Sequence, residues 1–131
     1  MRRAPLLALI ALGLAGCGGE SGDLMSIEVS GGPTNAKHTL VVSGDGRGSC
    51  DRSKLKALPS DRVIDAREVE RKSRKLAREG THYPERGGAR RFVLETTDGV
   101  VRWSEGTPGL PEVLPRAQLL TLQLERQLCS S

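Results

Sequence analysis

Aromatic residues are nearly absent from this chain: Phe92, Tyr83 and Trp103 stand alone among 131 positions. A core must therefore come from Leu, Val, Ile and Ala, which bury less area per residue than aromatic side chains. Histidine is limited to His38 and His82, and cysteine to Cys17, Cys50 and Cys129. Cys50, Cys129, His38 and His82 show none of the spacings of a zinc site, so the sequence alone assigns no metal and no cofactor. Several catalytic and nucleotide signatures are also missing. Gly44, Gly46 and Gly48 in "GDGRGS" form neither a P-loop nor G-x-G-x-x-G, and Asp45 lacks the partner ligands of a calcium loop. Ser49, His38 and Asp51 supply the residue types of a nucleophilic triad without a G-x-S-x-G elbow. No pair of acids has a context that tunes one against the other. The expectation is a domain without catalytic activity.

The one sustained apolar run, Ala4 to Ala15, follows Arg2 and Arg3 and stops at Gly16-Cys17. It is too short to span a bilayer as a mature helix, and its basic start and small-residue end are those of a secretory signal peptide. Leu14-Ala15-Gly16-Cys17 resembles the lipobox of bacterial lipoproteins. That resemblance implies cleavage after residue 16 and lipid on Cys17, with several acyl chains making the anchor effectively permanent. Residues 17–24 then read as the lipidated cysteine and a glycine-rich tether. Gly18 to Leu24 reaches at most ~25 Å at roughly 3.5 Å per residue. The expected location is the extracytoplasmic face of a cell membrane, with the bilayer as one partner.

Residues 25–131 have the length of one small domain. No internal repeat or dividing linker is evident. The formal net charge of +4 falls to +2 once Arg2 and Arg3 leave with the leader. Neither that excess nor export points to nucleic acid. With Cys17 lipidated, Cys50 and Cys129 form an even pair in an oxidising compartment and are expected to be disulfide-bonded. Such a bridge encloses most of the domain, and the chain-entropy model gives it about 4.5 kcal/mol.

Local patterns predict a β-β-α-β-β-α order. "MSIEV" (Met25 to Val29) alternates and ends at Gly31-Gly32-Pro33, and "HTLVVS" (His38 to Ser43) is β-branched. "SGDGRGSC", Ser43 to Cys50, reads as a loop. Asp65 and Glu68 look like a capping box opening a helix that carries Ala66, Val69, Leu76 and Ala77 on one face and stops at Gly80. Asp98-Gly99 reads as the centre of a two-residue hairpin turn pairing Leu94 with Trp103 and Glu95 with Arg102. A last helix within Pro111 to Cys129 presents Ala117, Leu120, Leu124 and Leu128, a stripe widened by Leu119. The expected fold is α+β, a four-stranded antiparallel sheet of two hairpins with two helices on one face.

Binding candidates follow from the same patterns. "REVERKSRKLARE" concentrates charge, with Arg67, Arg71 and Arg74 available to anionic lipid head groups and Glu68–Lys72 and Glu70–Arg74 as i, i+4 pairs. The Pro/Gly-stiffened "EGTPGLPE" around Pro108 would lose little entropy on docking. "SIEVSGG", "FVLETTDGVVRW" and a closing leucine-rich helix are similar in order to the emfourin family, small bacterial inhibitors of thermolysin-like metalloproteases. Ile27, Val29, Gly31 and Gly32 match that family's opening and Asp98-Gly99 its hairpin. Pro33 replaces its aromatic, and the Cys50/Cys129 pair is not part of its pattern. Two roles are thus expected: an anchored binding domain for an envelope protein, or a tethered protease inhibitor using Gly31, Gly32, Pro33 and Pro108.

Overall fold

The computed structural model describes residues 22–129; the leader, Cys17 and most of the tether lie outside them. The chain runs β1 (Asp23–Gly31), β2 (His38–Ser43), β3 (Arg47–Cys50), β4 (Lys56–Ala57), α1 (Ser60–Arg78), β5 (Arg90–Thr96), β6 (Gly99–Ser104) and α2 (Val113–Leu128). It is an α+β fold whose antiparallel sheet has six strands, ordered β4-β3-β2-β1-β5-β6. The first strand is therefore central, with Ile27 opposite Leu40 on one side and Leu94 on the other. Alternation places Met25, Ile27, Val29, Leu40, Val42, Phe92, Leu94, Val101 and Trp103 in the core. Both helices pack on this face. Phe92 and Trp103 stack at 5.3 Å, and Trp103 Nε1 donates to Gln118 Oε1 of α2 at 2.8 Å.

The four-strand expectation is corrected at "RGSC". Gly and Ser carry little intrinsic strand preference, and the segment becomes β3 because β2 offers it a hydrogen-bonding edge. Gly48 lies so close beneath α2 that a Cβ there would stand 2.9 Å from Leu128 Cδ1. The two-residue β4 adds the outermost strand. Asp23 and Leu24, expected in a tether, belong to β1.

Helix α1 begins five residues before Asp65. Pro59 occupies its N-cap, and its carbonyl accepts from Arg62 and Val63 N–H groups. Asp65 instead pairs with Arg62 at 3.0 Å, one turn back. The N-cap Pro59 makes no side-chain cap; the polar mark of this start is Asp61 in the first turn, whose carboxylate accepts the Arg62 N–H at 3.0 Å. The other end follows its glycine: Gly80 N–H reaches Ala77 O and Thr81 N–H reaches Leu76 O, both at 3.0 Å, a Schellman closure. In α2, Leu119 does not widen the buried stripe; it is 58% exposed, and Val113, Leu114 and Thr121 join the buried side instead.

The β5–β6 hairpin turns at Thr97-Asp98, with Thr96 opposite Gly99, Leu94 opposite Val101 and Phe92 opposite Trp103. The pairing is displaced by two residues from the Asp98-Gly99 expectation. Each side chain keeps its face, but Glu95 now faces Val100 and Arg102 faces Val93. Gly99 is not spent on the turn because α1 needs it. Its φ is +147°, and a Cβ there would sit 2.1 Å from the Ala77 carbonyl oxygen. Arg74 and Arg78 of α1 reach the Asp98 carboxylate beside it, at 4.0 and 3.5 Å.

These contacts orient the helices. Helix α1 starts near the β2–β3 turn, where Val63 meets Gly46, and ends on the β5–β6 turn. It thus crosses the strands at the end where β1 begins. Helix α2 leaves β6 at the opposite end and returns across the sheet to β3. The outer edge of β6 is covered by the chain after α1: Arg102 N–H donates to Thr81 O and accepts through its carbonyl from Tyr83 N–H.

The two glycines make a test. Gly80 has φ +61° with open space around it, so Gly80→Ala should cost about 1 kcal/mol of left-handed strain. Gly99→Ala must displace backbone and should cost about 3 kcal/mol or more. Urea unfolding of both variants measures this, and equal costs would contradict the helix–hairpin contact.

Candidate functional site

The predicted binding residues divide between the two ends of the sheet. Gly31, Gly32 and Pro33 leave β1 in a tight turn closed by Asn35 N–H on Gly32 O at 3.1 Å. Pro108 is exposed in the loop between β6 and α2. β5 lies between β1 and β6, so both loops emerge at one end, and the segment before β5 joins them. Arg86 donates its Nη1 to Gly106 O, and its backbone N–H reaches Ser104 Oγ at 3.2 Å. A Cβ on Gly31 would touch Ala89 O at 3.2 Å, and one on Gly32 would meet Arg90 Cγ at 2.7 Å. Gly31 and Gly32 (both φ +77°) are held in conformations that favour glycine. A cleft of about 250 Å3 opens between the Gly31 turn and residues 85–89. Sequence reading did not single out Arg86 or its neighbours, because nothing in "PERGGAR" shows that the chain returns to this end.

Arg67, Arg71 and Arg74 are at the other end, where β1 begins. They share a shallow recess with Leu24 and with Ile64, which is 61% exposed. Arg74 is held by Glu70, with Nε to Oε1 and Nη2 to Oε2 both 3.1 Å, and Arg67 reaches Gly44 O at 3.5 Å. The Gly44–Gly46 turn beside them is committed internally: Asp45 accepts from Ser43 Oγ and from Arg47 Nε, and these donors, Arg47 foremost, hold its carboxyl below the usual range.

A third cluster lies at the same end of the sheet as the Gly31 turn, on the β2–β3 side. Cys50 and Cys129 form a disulfide with S–S 2.07 Å that joins β3 to the end of α2 across 79 residues. His38 Nδ1 lies 2.8 Å from Asp51 Oδ2 and 3.7 Å from Cys50 Sγ, while Asp51 Oδ1 accepts the Thr39 N–H at 2.8 Å. The His38 contact first, and the Thr39 N–H second, lower the Asp51 carboxyl from its ordinary value. Asp51 and Arg52 both take left-handed backbone (φ +52° and +61°), which aims the Asp51 carboxylate back at His38. One imidazole nitrogen thus faces both sulfur and carboxylate, unlike the two-sided relay of a catalytic triad. Ser49 stands opposite Val41, on the sheet face away from Cys50 and Leu40, so the fold does not assemble the Ser49–His38–Asp51 set. It does bring His38 to both cysteines, with the three donor atoms within 4.8 Å of one another. His82 is remote, bridging to Arg102 at the β6 edge.

Between α1 and α2 runs a groove of about 210 Å3 floored by Val69, Val113 and Leu120. Glu68 bridges its rim, 2.6 Å from Lys72 Nζ and 3.0 Å from Arg116 Nη1. No helix among the described residues is long and apolar enough to cross a membrane. Compared with family models, curated proteins and solved structures, the chain matches none.

Glu68 makes a pH test. Lys72 above all, then Arg116 and Arg71, lower its carboxyl from the ordinary value. A carboxyl lowered on folding stabilises the fold above its unfolded pKa of about 4.3, and the contribution vanishes as pH falls through the lower folded value. Glu68→Gln should therefore be less stable than the parent at neutral pH and converge with it in acid. Urea unfolding across pH tests this; a gap that persists unchanged into strong acid would refute the bridge.

Proposed function

We propose that this chain is a lipid-anchored, non-catalytic binding domain of the cell envelope, attached through Cys17 to the extracytoplasmic face of a membrane. Its partner binding uses no cofactor and no nucleic acid. The observation that carries this reading is the polarity of the domain along β1. The described chain enters at Gly22, beside Ile64, Arg67 and Arg71, and the turn at Gly31 to Pro33 lies at the other end of a nine-residue strand. At about 3.4 Å per residue, that strand separates the two ends by roughly 27 Å. A bilayer held at the tether leaves the Gly31, Arg86 and Pro108 loops facing outward. There, stiff loops meet a protein partner at low entropic cost.

A specific observation favours protease inhibition as the second reading. Gly31 and Gly32, which match the emfourin-like opening, pack against Ala89 and Arg90, and the same segment reaches the Pro108 loop through Arg86 on Gly106 O and through Arg90 O, which accepts from Glu105 N–H. Such a joined pair of rigid loops has the form of an element that fills a protease cleft.

Photoreactive side chains placed at Pro33, Pro108 and Arg71 in cells making the full chain test the main reading. The two loop positions should capture one and the same protein, and Arg71 should capture lipid. Loop positions that capture nothing, or membrane association unchanged by Cys17→Ser, would overturn it. The second reading is tested by titrating the full chain, in detergent, into a thermolysin-like metalloprotease. Activity falling to zero near one equivalent supports inhibition, and full activity at large excess removes it.

A further inference from the structure

We propose that Cys50, Cys129, His38 and Asp51 form a redox-gated metal site. The disulfide is its closed state, and a tetrahedral ion of the Zn2+ type occupies it after reduction. The argument is independent of the anchor and of the loops. Zinc bonds of about 2.0 Å to nitrogen or oxygen and 2.3 Å to sulfur set ligand-to-ligand edges of roughly 3.3–3.8 Å in a tetrahedron. Two edges already stand near that range: Cys50 Sγ lies 3.7 Å from His38 Nδ1 and 3.5 Å from Asp51 Oδ2. A third, His38 Nδ1 to Asp51 Oδ2, is 2.8 Å while they share a proton and lengthens once a cation replaces it. The fourth donor, Cys129 Sγ, is held within 2.07 Å of Cys50 Sγ by the bond that must break.

The donor set of two thiolates, one imidazole and one carboxylate suits Zn2+ better than the hard cations that oxygen-only sites select. Its positions are built by separate elements. His38 opens β2, Cys50 closes β3, Asp51 is turned back by its left-handed backbone, and Cys129 follows α2. Cys50 is buried and Cys129 partly exposed, so a reductant reaches the outer sulfur first.

The chemistry balances with a dithiol as reductant. A dithiol thiolate attacks Cys129 Sγ, the Cys50–Cys129 bond breaks, and Cys50 leaves as a thiolate that takes up a proton. The second dithiol sulfur then displaces Cys129, so the reductant ends as a disulfide and the protein as two thiols. Binding of Zn2+ releases both thiol protons, and the His38 proton moves from Nδ1 to Nε2, freeing the Nδ1 lone pair for the metal. Disulfide and metal exclude each other, because both use the same two sulfurs.

The test uses the full chain with Cys17→Ser, which leaves Cys50 and Cys129 as its only thiols. After reduction by a phosphine and its removal, Co2+ is titrated in as a spectroscopic stand-in for Zn2+. One equivalent should produce the intense visible bands of tetrahedral cobalt with thiolate charge transfer, and Zn2+ should bleach them. The oxidised chain should give neither. His38→Ala and Asp51→Asn should each weaken Co2+ binding by about tenfold or more, and Cys50→Ser should abolish the bands. Far-UV circular dichroism covers loss of structure on reduction: if helix signal is lost, metal must restore it, since binding and folding are then linked. An absence of tetrahedral bands overturns the proposal. So does binding unaffected by His38→Ala and Asp51→Asn, or binding to a chain that stays unfolded.

Discussion

Strand β1 hydrogen-bonds to β2 along one edge and to β5 along the other, and it turns Met25, Ile27 and Val29 into the core. The helices need that apolar face before they have anything to cover. Its β2 partner is close in sequence, whereas β5 arrives only after β3, β4 and α1 have been laid down. The sheet therefore closes around its first strand by a long-range pairing, a slow kind of contact to form. The disulfide acts on the same problem from the other side, tying the C-cap of α2 to β3 and shortening the unfolded chain's effective length. With so few aromatics, the Phe92–Trp103 stack is the one large aromatic contact that holds β5 to β6 under the helices.

The sequence was most legible where side-chain period and local geometry agreed. β2 begins and ends where its β-branched run does, and Gly80 closes α1 through the hydrogen bonds its position implied. The Cys50–Cys129 pairing was legible from parity, together with the oxidising compartment that the leader-like opening led one to expect. Legibility failed where a residue answers to a distant neighbour. Gly48 looked like a loop glycine but is a strand residue under Leu128, and Gly99 looked like a turn glycine but is a contact point for Ala77. In both cases the reason for glycine is backbone from another element, which no local window contains. Asp65 misled for a local reason: its carboxylate pairs with Arg62 three residues back inside the helix and does not cap the helix end.

The candidate site was legible in pieces and not as a whole. Gly31, Gly32, Pro33 and Pro108 were singled out as stiff loops, but only the strand order puts them at one end, where Arg86 and Arg90 of the segment entering β5 connect them. Arg67, Arg71 and Arg74 were read as a basic face without any indication that α1 crosses the end where the chain enters β1. His38 and Asp51 lie 13 residues apart, and spacing alone could not associate them with Cys129. Their meeting depends on β2 and β3 being paired and on α2 returning across the sheet.

The position of β1 has a mechanical consequence. A load applied between the chain's entry at Gly22 and the loops beyond Gly31 runs along the strand's own axis. The hydrogen bonds that fasten β1 to β2 and β5 lie across that axis, so they resist in shear, and many must yield together. Peeling, in which bonds break one at a time, is not available to a strand held on both edges. A domain threaded in this way transmits tension through its middle, and its outer strands and helices carry little of it.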